Sequence, residues 1–152
     1  MNSRHTTLIF ALILLFFSSA DKLDAQEYTH SAGIRAGFSS GIVYKGFFDR
    51  NSAIAIEGLY NRNGLNVTGL YQYHIAPFKN DRALFYFGGG PFAGQWGDEF
   101  SLGVAGVAGF EYILRDIPLV FSVDWKPLFN IIMQTDYEFV DFGLAIRYYF
   151  EI

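Results

Sequence analysis

The chain has 152 residues, of which 51% are hydrophobic and 19% aromatic, and a formal net charge of −4. An acidic chain lacks the basic face that phosphate binding requires, so we expect no nucleic-acid partner. The absence of cysteine excludes disulfide cross-links and a thioether-linked lipid. Packing and hydrogen bonding must therefore hold the fold together.

The first 26 residues have the layout of a secretory signal peptide. Arg4 lies in a short polar start, an uninterrupted apolar run covers 8–17, and small residues follow. That run is too short to span a bilayer as a helix, which needs about 20 apolar residues. We therefore predict a cleaved leader at 1–26, with cleavage after residue 20, 25 or 26, and a single domain at 27–152.

Beyond the leader, apolar side chains alternate with polar or small ones, as is typical of β-strands. The terminal stretch DFGLAIRYYFEI (141–152) shows this clearly, since every second residue is large and apolar. Turn residues separate the segments, among them the hairpin signal Asn63-Gly64. In the second and fifth predicted strands, apolar residues occupy both alternating sets of positions. The sequence therefore does not show which side chains of these two strands point inward. The eight predicted strands are 30–39, 42–48, 53–61, 65–75, 84–94, 101–114, 119–127 and 141–152.

Eight antiparallel strands suit a closed up-and-down barrel, because closure removes exposed strand edges. The alternation fits a soluble barrel with its polar face outside and an outer-membrane barrel with its polar face inside. Charge placement favours the membrane barrel. Four positive and four negative residues lie within the strands, and each shares a parity with small or polar neighbours wherever the parity can be read. Such a balanced set fits a narrow interior where buried charges are paired. The predicted lumen charge network consists of Arg35, Lys45, Glu57, Glu111, Asp124, Lys126, Asp141 and Arg147.

The opposite parity carries no mid-strand charge and is rich in aromatic residues toward the strand ends, as membrane interfaces require. In DWKP (124–127), we expect an inward Asp124–Lys126 ion pair beside an outward, interfacial Trp125. The fold class predicted is therefore all-β: an eight-stranded antiparallel up-and-down transmembrane barrel preceded by a cleavable signal peptide. The predicted membrane-interface aromatics are Tyr60, Tyr71, Tyr73, Tyr112, Trp125, Tyr148 and Phe150.

The whole mature chain resembles the small eight-stranded outer-membrane β-barrels of the OmpA/OmpX and opacity-protein type, found in Gram-negative bacteria. The stretches GFEYILRDIPLVFSVDWKPLFN (109–130) and FGLAIRYYF (142–150) carry the resemblance. It implies contact with outer-membrane lipid and lipopolysaccharide, and insertion by the barrel-assembly machinery. In such proteins, a terminal strand that ends in an aromatic residue is the assembly signal. Here that signal would comprise Tyr148, Phe150 and Ile152, with isoleucine in place of the usual last aromatic residue.

An even number of strands places both termini on one side of the membrane, which is the periplasmic side in outer-membrane barrels. The connections on the external side are then short, which disfavours a protruding adhesin. The predicted external connections are 39–41, 62–64, 95–100 and 128–138, and the predicted periplasmic ones are 49–52, 76–83 and 115–118.

Catalysis has little support in the sequence. An acyl hydrolase needs a nucleophile within reach of a histidine base. Only His30 and His74 follow the leader, and we predict both to be interfacial, near the periplasmic ends of their strands; Ser31 adjoins His30 but points to the opposite face. GGGP (88–91) is not followed by a helix or a Lys-Ser/Thr pair, so it is no phosphate loop. We expect no catalytic residue, no cofactor and no metal site.

The function expected from these features is that of a non-catalytic, monomeric outer-membrane barrel with a structural, envelope-stabilising or interaction role. Its lumen would be closed by the charge network. A narrow or gated channel for small solutes is the first alternative. A continuous water pore is not expected, because eight strands leave an interior just wide enough for side chains. A secreted, soluble lipocalin-like binding barrel is the second alternative.

Overall fold

The computed structural model describes residues 29–62, 64–77, 82–114, 116–132 and 138–150; the predicted leader lies outside them. Each strand pairs antiparallel with the next along the chain, and β1 pairs with β8, which confirms the closed eight-stranded all-β barrel. Among the described residues, no helix is long and apolar enough to cross a membrane. The strands are β1 (His30–Gly37), β2 (Ser40–Phe47), β3 (Ser52–Asn61), β4 (Gly64–Ile75), β5 (Ala83–Trp96), β6 (Glu99–Ile113), β7 (Leu119–Ile132) and β8 (Glu138–Phe150).

The up-and-down order gives the barrel two ends with different connections. We call the end where β1 begins and β8 ends the lower end; it also holds the connections 48–51, 76–82 and 114–118. The upper end holds the connections 38–39, 62–63, 97–98 and 133–137.

Burial alternates along the strands as the period-two pattern predicts. In β8, Asp141 and Arg147 are buried inside the barrel, whereas Phe142, Leu144 and Ile146 on the other parity are exposed on its outer wall. The same alternation runs through the other strands. No strand residue of outward parity carries a charge except the first residue of β8, whose side chain is not among those described. The two faces of the wall therefore differ in charge around the whole barrel.

Pairing resolves the facing of the two strands that the sequence left open. Lys45 of β2 lies opposite Ser31 of β1 and Ala55 of β3, which are both buried inside. Tyr86 of β5 lies opposite the buried His74 of β4. These strands look apolar on both faces because the interior itself contains apolar side chains.

Two predicted connections are longer than the structure allows. In place of the 95–100 loop, β5 runs through Trp96 and β6 begins at Glu99, so only Gly97 and Asp98 turn the chain. Gly97 has a φ of 63°, a left-handed conformation that glycine adopts without steric cost. The 128–138 loop is also wrong at both ends, since β7 continues to residue 132 and β8 begins at residue 138. The sequence predicts a strand that ends at Pro127, yet pairing with β8 continues through Pro127 to Phe129.

Apolar side chains fill the lower end of the interior. Those of one cluster come from five strands at this end and are almost completely buried, which closes the lower end of the barrel. A second apolar cluster lines the wall formed by β3 to β7. The lower cluster comprises Phe47, Ala53, Leu84, Ile113 and Val120, and the wall cluster comprises Ala55, Leu70, Tyr86, Phe92, Ala105, Val107 and Leu128.

Candidate functional site: the interior charge network

The structure places all eight charged residues of the predicted lumen network inside the barrel. Each of these residues is 6% exposed or less. They come from β1, β2, β3, β6, β7 and β8, so barrel closure alone brings them together. Burying so many ionised groups is tolerated only if each finds an opposite charge and further hydrogen bonds.

Glu111 is the centre of the lower group of charges. Its Oε2 atom accepts hydrogen bonds from Lys45 Nζ at 3.0 Å and from Arg147 Nη2 at 2.5 Å. Its Oε1 atom lies 3.7 Å from His74 Nε2. Arg147 also donates from Nη1 to Ser31 Oγ at 3.0 Å. One carboxylate of β6 therefore faces cations from β2 and β8.

Arg35 is the centre of the upper group. Its guanidinium donates to Asp124 Oδ1 at 2.6 Å, to Asp141 Oδ2 at 3.0 Å and to the carbonyl oxygen of Ser39 at 3.0 Å. A Cβ atom at Gly143 would lie only 2.4 Å from Arg35 Cζ, so glycine at this position leaves room for the guanidinium to lie against β8. These bonds connect β1, β7 and β8 across the closure of the barrel.

Lys126 and Glu57 form an ion pair across the interior between β7 and β3. The predicted Asp124–Lys126 pair is therefore wrong: both side chains point inward, but Asp124 binds Arg35 and Lys126 binds Glu57. Residues two apart on one strand share a face but lie about 7 Å apart along it, so partners on other strands are closer.

His74 is not interfacial, as we predicted, but completely buried inside the barrel. Its Nε2 atom lies 3.2 Å from Lys45 Nζ, and its ring packs between Phe47 at 4.7 Å and Tyr86 at 5.3 Å between centroids. The signal was available, because His74 shares the inward parity of Gln72 on β4.

His30 lies on the outer wall, near the start of β1. Its Nδ1 atom lies 2.6 Å from Tyr44 Oη, and its ring stacks with those of Tyr44 and Phe150. Ser31 points into the barrel, as predicted. The two histidines are therefore on opposite sides of the wall.

Tyr86 is the residue of the site that the sequence did not reveal. Its ring lies under Lys45 Nζ, 4.1 Å from the ring centroid, and this cation–π contact belongs to the lower group of charges. It lies on β5, whose apolar residues on both parities concealed its direction.

The interior charge network encloses very little free volume. The cavity among the charged side chains has a volume of only about 10 Å³ and is lined by Lys45, Glu57, Gln72, Asp124 and Arg147, among others. About one water molecule fits such a space. Among the described residues there is no group of three or more His, Asp or Glu side chains that could hold a metal ion. The network can connect strands, but this cavity cannot hold a substrate.

The predicted interface aromatics all project from the outer wall where described. Those with the largest exposed fractions are Tyr60, Tyr71, Tyr112, Trp125 and Tyr148, while Tyr73 and Phe150 are partly buried. Trp125 differs from the expected position near a strand end, since it is the seventh of the 14 residues of β7. In the predicted assembly signal, Tyr148 and Phe150 belong to β8, and Ile152 lies outside the described residues.

A scan against protein-family models and a search of the curated proteins found no match. The functional argument therefore rests on the barrel, its outer wall and its interior.

Proposed function

We propose that the protein is a non-catalytic integral outer-membrane barrel with a structural, envelope-stabilising role, both termini in the periplasm and a lumen closed by its charge network. The observation that carries this proposal is the separation of the two faces of the wall. The buried strand charges point inward, while the exposed side chains along the middle of the outer wall are apolar. A membrane barrel has this arrangement, because its outer wall contacts lipid.

The exposed apolar residues argue against the soluble alternative. Leu144 at the middle of β8 is 63% exposed, and its neighbours Phe142 and Ile146 on the same face are also exposed. A soluble barrel places its polar face in water, and monomeric soluble proteins rarely expose large continuous apolar patches. Such a wall is stable in contact with hydrocarbon.

The interior favours a closed barrel over a channel. The lower apolar cluster seals one end, and the charges above it bind each other. A continuous aqueous path would need a much larger cavity among these side chains than about 10 Å³. The predicted leader and the resemblance to small outer-membrane barrels support the location.

A pair of lysine substitutions tests contact with lipid. Leu144→Lys places a charge at the middle of the outer wall, whereas Ile117→Lys places one at a residue of similar exposure, 54%, in the connection 114–118. At the centre of a bilayer, a lysine on the lipid face costs about 2–4 kcal/mol, falling to about 0–1 near the interfaces. We expect L144K to reduce the amount of barrel in the outer-membrane fraction, and I117K to leave it unchanged.

The readout is gel mobility of the membrane fraction with and without boiling, because closed lipid-embedded barrels resist detergent until heated. The proposal predicts a heat-dependent shift for the parent chain and for I117K. A soluble periplasmic protein without a shift, or equal behaviour of L144K and I117K, would contradict the membrane assignment.

A further inference from the structure

Three sets of ion pairs meet at the small cavity inside the barrel. The lower group is centred on Glu111, the upper group is centred on Arg35, and the Lys126–Glu57 pair is the third set. The cavity has a volume of about 10 Å³, and members of all three sets line it. A molecule in this cavity would therefore contact all three sets. The charged lining residues are Lys45 and Arg147 of the lower group, Asp124 of the upper group and Glu57 of the third set.

Gln72 brings an unsatisfied hydrogen-bond acceptor to this cavity. It lies on β4, is 2% exposed and lines the cavity. Its Oε1 atom has no hydrogen-bond partner among the described residues. The residues directly opposite it in the sheet are Ala53 of β3 and Gly88 of β5, which have no polar side chain to offer. A buried acceptor without a donor costs free energy, so a donor inside the cavity would stabilise the fold.

The size and the charge of the cavity indicate which donor fits. A water molecule needs a cavity of at least about 10–15 Å³ and two to four polar partners, so a cavity of about 10 Å³ has room for one water molecule and for nothing larger. The charged lining groups are balanced, since two are cations and two are anions. A bound ion would upset this balance, whereas a neutral water molecule can both donate and accept hydrogen bonds.

Lys45 and Asp124 can supply the other partners of a water molecule. An ammonium group donates three hydrogen bonds, and Lys45 Nζ uses two of them, to Glu111 Oε2 at 3.0 Å and to His74 Nε2 at 3.2 Å. A carboxylate accepts about four hydrogen bonds, and Asp124 accepts two, both from Arg35. One donor position and two acceptor positions therefore remain on groups that line the cavity.

We propose that the cavity binds one water molecule, which donates hydrogen bonds to Gln72 Oε1 and Asp124 and accepts one from Lys45. This inference deepens the proposed function and rests on it, because it requires a lumen that is closed to bulk solvent. The water molecule would join the lower and upper groups of charges into one network across the barrel. Water would then be a fixed part of the closed interior and would not flow through it.

Alanine methyl groups allow a direct measurement. Ala55 and Ala145 line the cavity, whereas Ala53 of the lower cluster and Ala105 of the wall cluster are also buried but do not line it. The full chain with ¹³C-labelled alanine methyl groups is folded in micelles of deuterated detergent. Transfer of magnetisation from water to the methyl protons is then measured by NMR. We expect transfer to Ala55 and Ala145 and none to Ala53 and Ala105.

Gln72→Met tests the proposed anchor of the water molecule. Methionine keeps the length of the side chain but removes the acceptor, and Gln95→Met makes the same change at an exposed residue of β5. We expect Q72M to lose the transfer to the two cavity methyl groups and Q95M to retain it. The hydroxyl groups of Tyr86 and Ser122 also line the cavity and remain in Q72M. Loss of transfer in Q72M would therefore identify a bound water molecule rather than exchange through these hydroxyl protons.

No transfer to the cavity methyl groups of the parent chain would overturn the inference and leave the closed lumen unaffected. Transfer to all four methyl groups would contradict both the inference and the closed lumen, because it would show bulk water in the interior. Unchanged transfer in Q72M would overturn the inference as well. If Q72M fails to fold, a crystal structure of the parent barrel decides. The inference predicts a water molecule about 2.5–3.2 Å from Gln72 Oε1, and an ion or no solvent peak at this position would refute it.

Discussion

Replacing Glu111 by glutamine tests whether the interior network holds the barrel together. Glu111 is fully buried and is the carboxylate shared by Lys45 and Arg147, at 3.0 and 2.5 Å, with His74 at 3.7 Å. Glutamine keeps the volume of the side chain, so no cavity contributes to the result. It removes the negative charge and leaves two cations close together.

Removing one partner of a buried ion pair costs about 3–5 kcal/mol, because the remaining charge stays buried without compensation. Since two cations lose their shared partner here, we expect a loss at the upper end of that range. Native stabilities are typically about 5–15 kcal/mol, so E111Q should lose a third or more of the free energy of unfolding.

The assay is reversible urea unfolding of the full chain in lipid vesicles, followed by tryptophan fluorescence. Glu99→Gln is the control, because Glu99 lies on the same strand but is exposed at the upper end; surface changes of this kind stay within about 0.5 kcal/mol. A Lys45→Met substitution added to E111Q should recover part of the loss, since the two sites interact. A loss below about 1 kcal/mol for E111Q would refute the reasoning.

Three further predictions use the same interior. Glu57→Gln should cost about 3 kcal/mol in urea unfolding, because it leaves the Lys126 ammonium buried without a counter-charge. The double variant Glu57→Gln/Lys126→Met should recover at least about 1 kcal/mol of this loss, because no unpaired charge then remains buried; a double variant no more stable than Glu57→Gln would contradict this. Gly143→Ala should lower the free energy of unfolding by about 1–3 kcal/mol, because the added methyl group would contact the Arg35 guanidinium. Gly69→Ala, which has open space around it, should have little effect in the same thermal melting experiment. In planar bilayers the parent chain should show no steady conductance, and Glu111→Ala should introduce a leak; an unchanged current would argue against closure by the network.

Much of the fold follows from local chemistry. The strict alternation in residues 141–152 predicts one strand with an apolar and a polar face, and similar segments predict seven more. The inward direction of side chains such as Arg35 and Glu111 needs only parity, because successive residues of a strand point to opposite sides. His74 could have been assigned by the same rule.

The residues at which strands end and connections begin are harder to predict from the sequence. The sequence predicts a long loop after Pro127 and another around Gly97-Asp98. In the structure the ladder continues through Pro127, and pairing of Trp96 with Glu99 leaves only Gly97 and Asp98 to turn the chain. A strand continues as long as the neighbouring strand offers backbone hydrogen-bond partners beside it. Local composition does not show where these partners end.

The sequence by itself therefore determined the class of architecture and the side of the wall on which most residues lie, because both depend on a period of two along one strand. Only the tertiary structure decided which charges bind each other. Asp124 and Lys126 are two residues apart, yet they bind partners on β1 and β3. It also decided that Ala108 lies between Phe87 and Trp125 on the outer wall. Such contacts follow from strand register and barrel closure, which bring together residues that are distant in the chain.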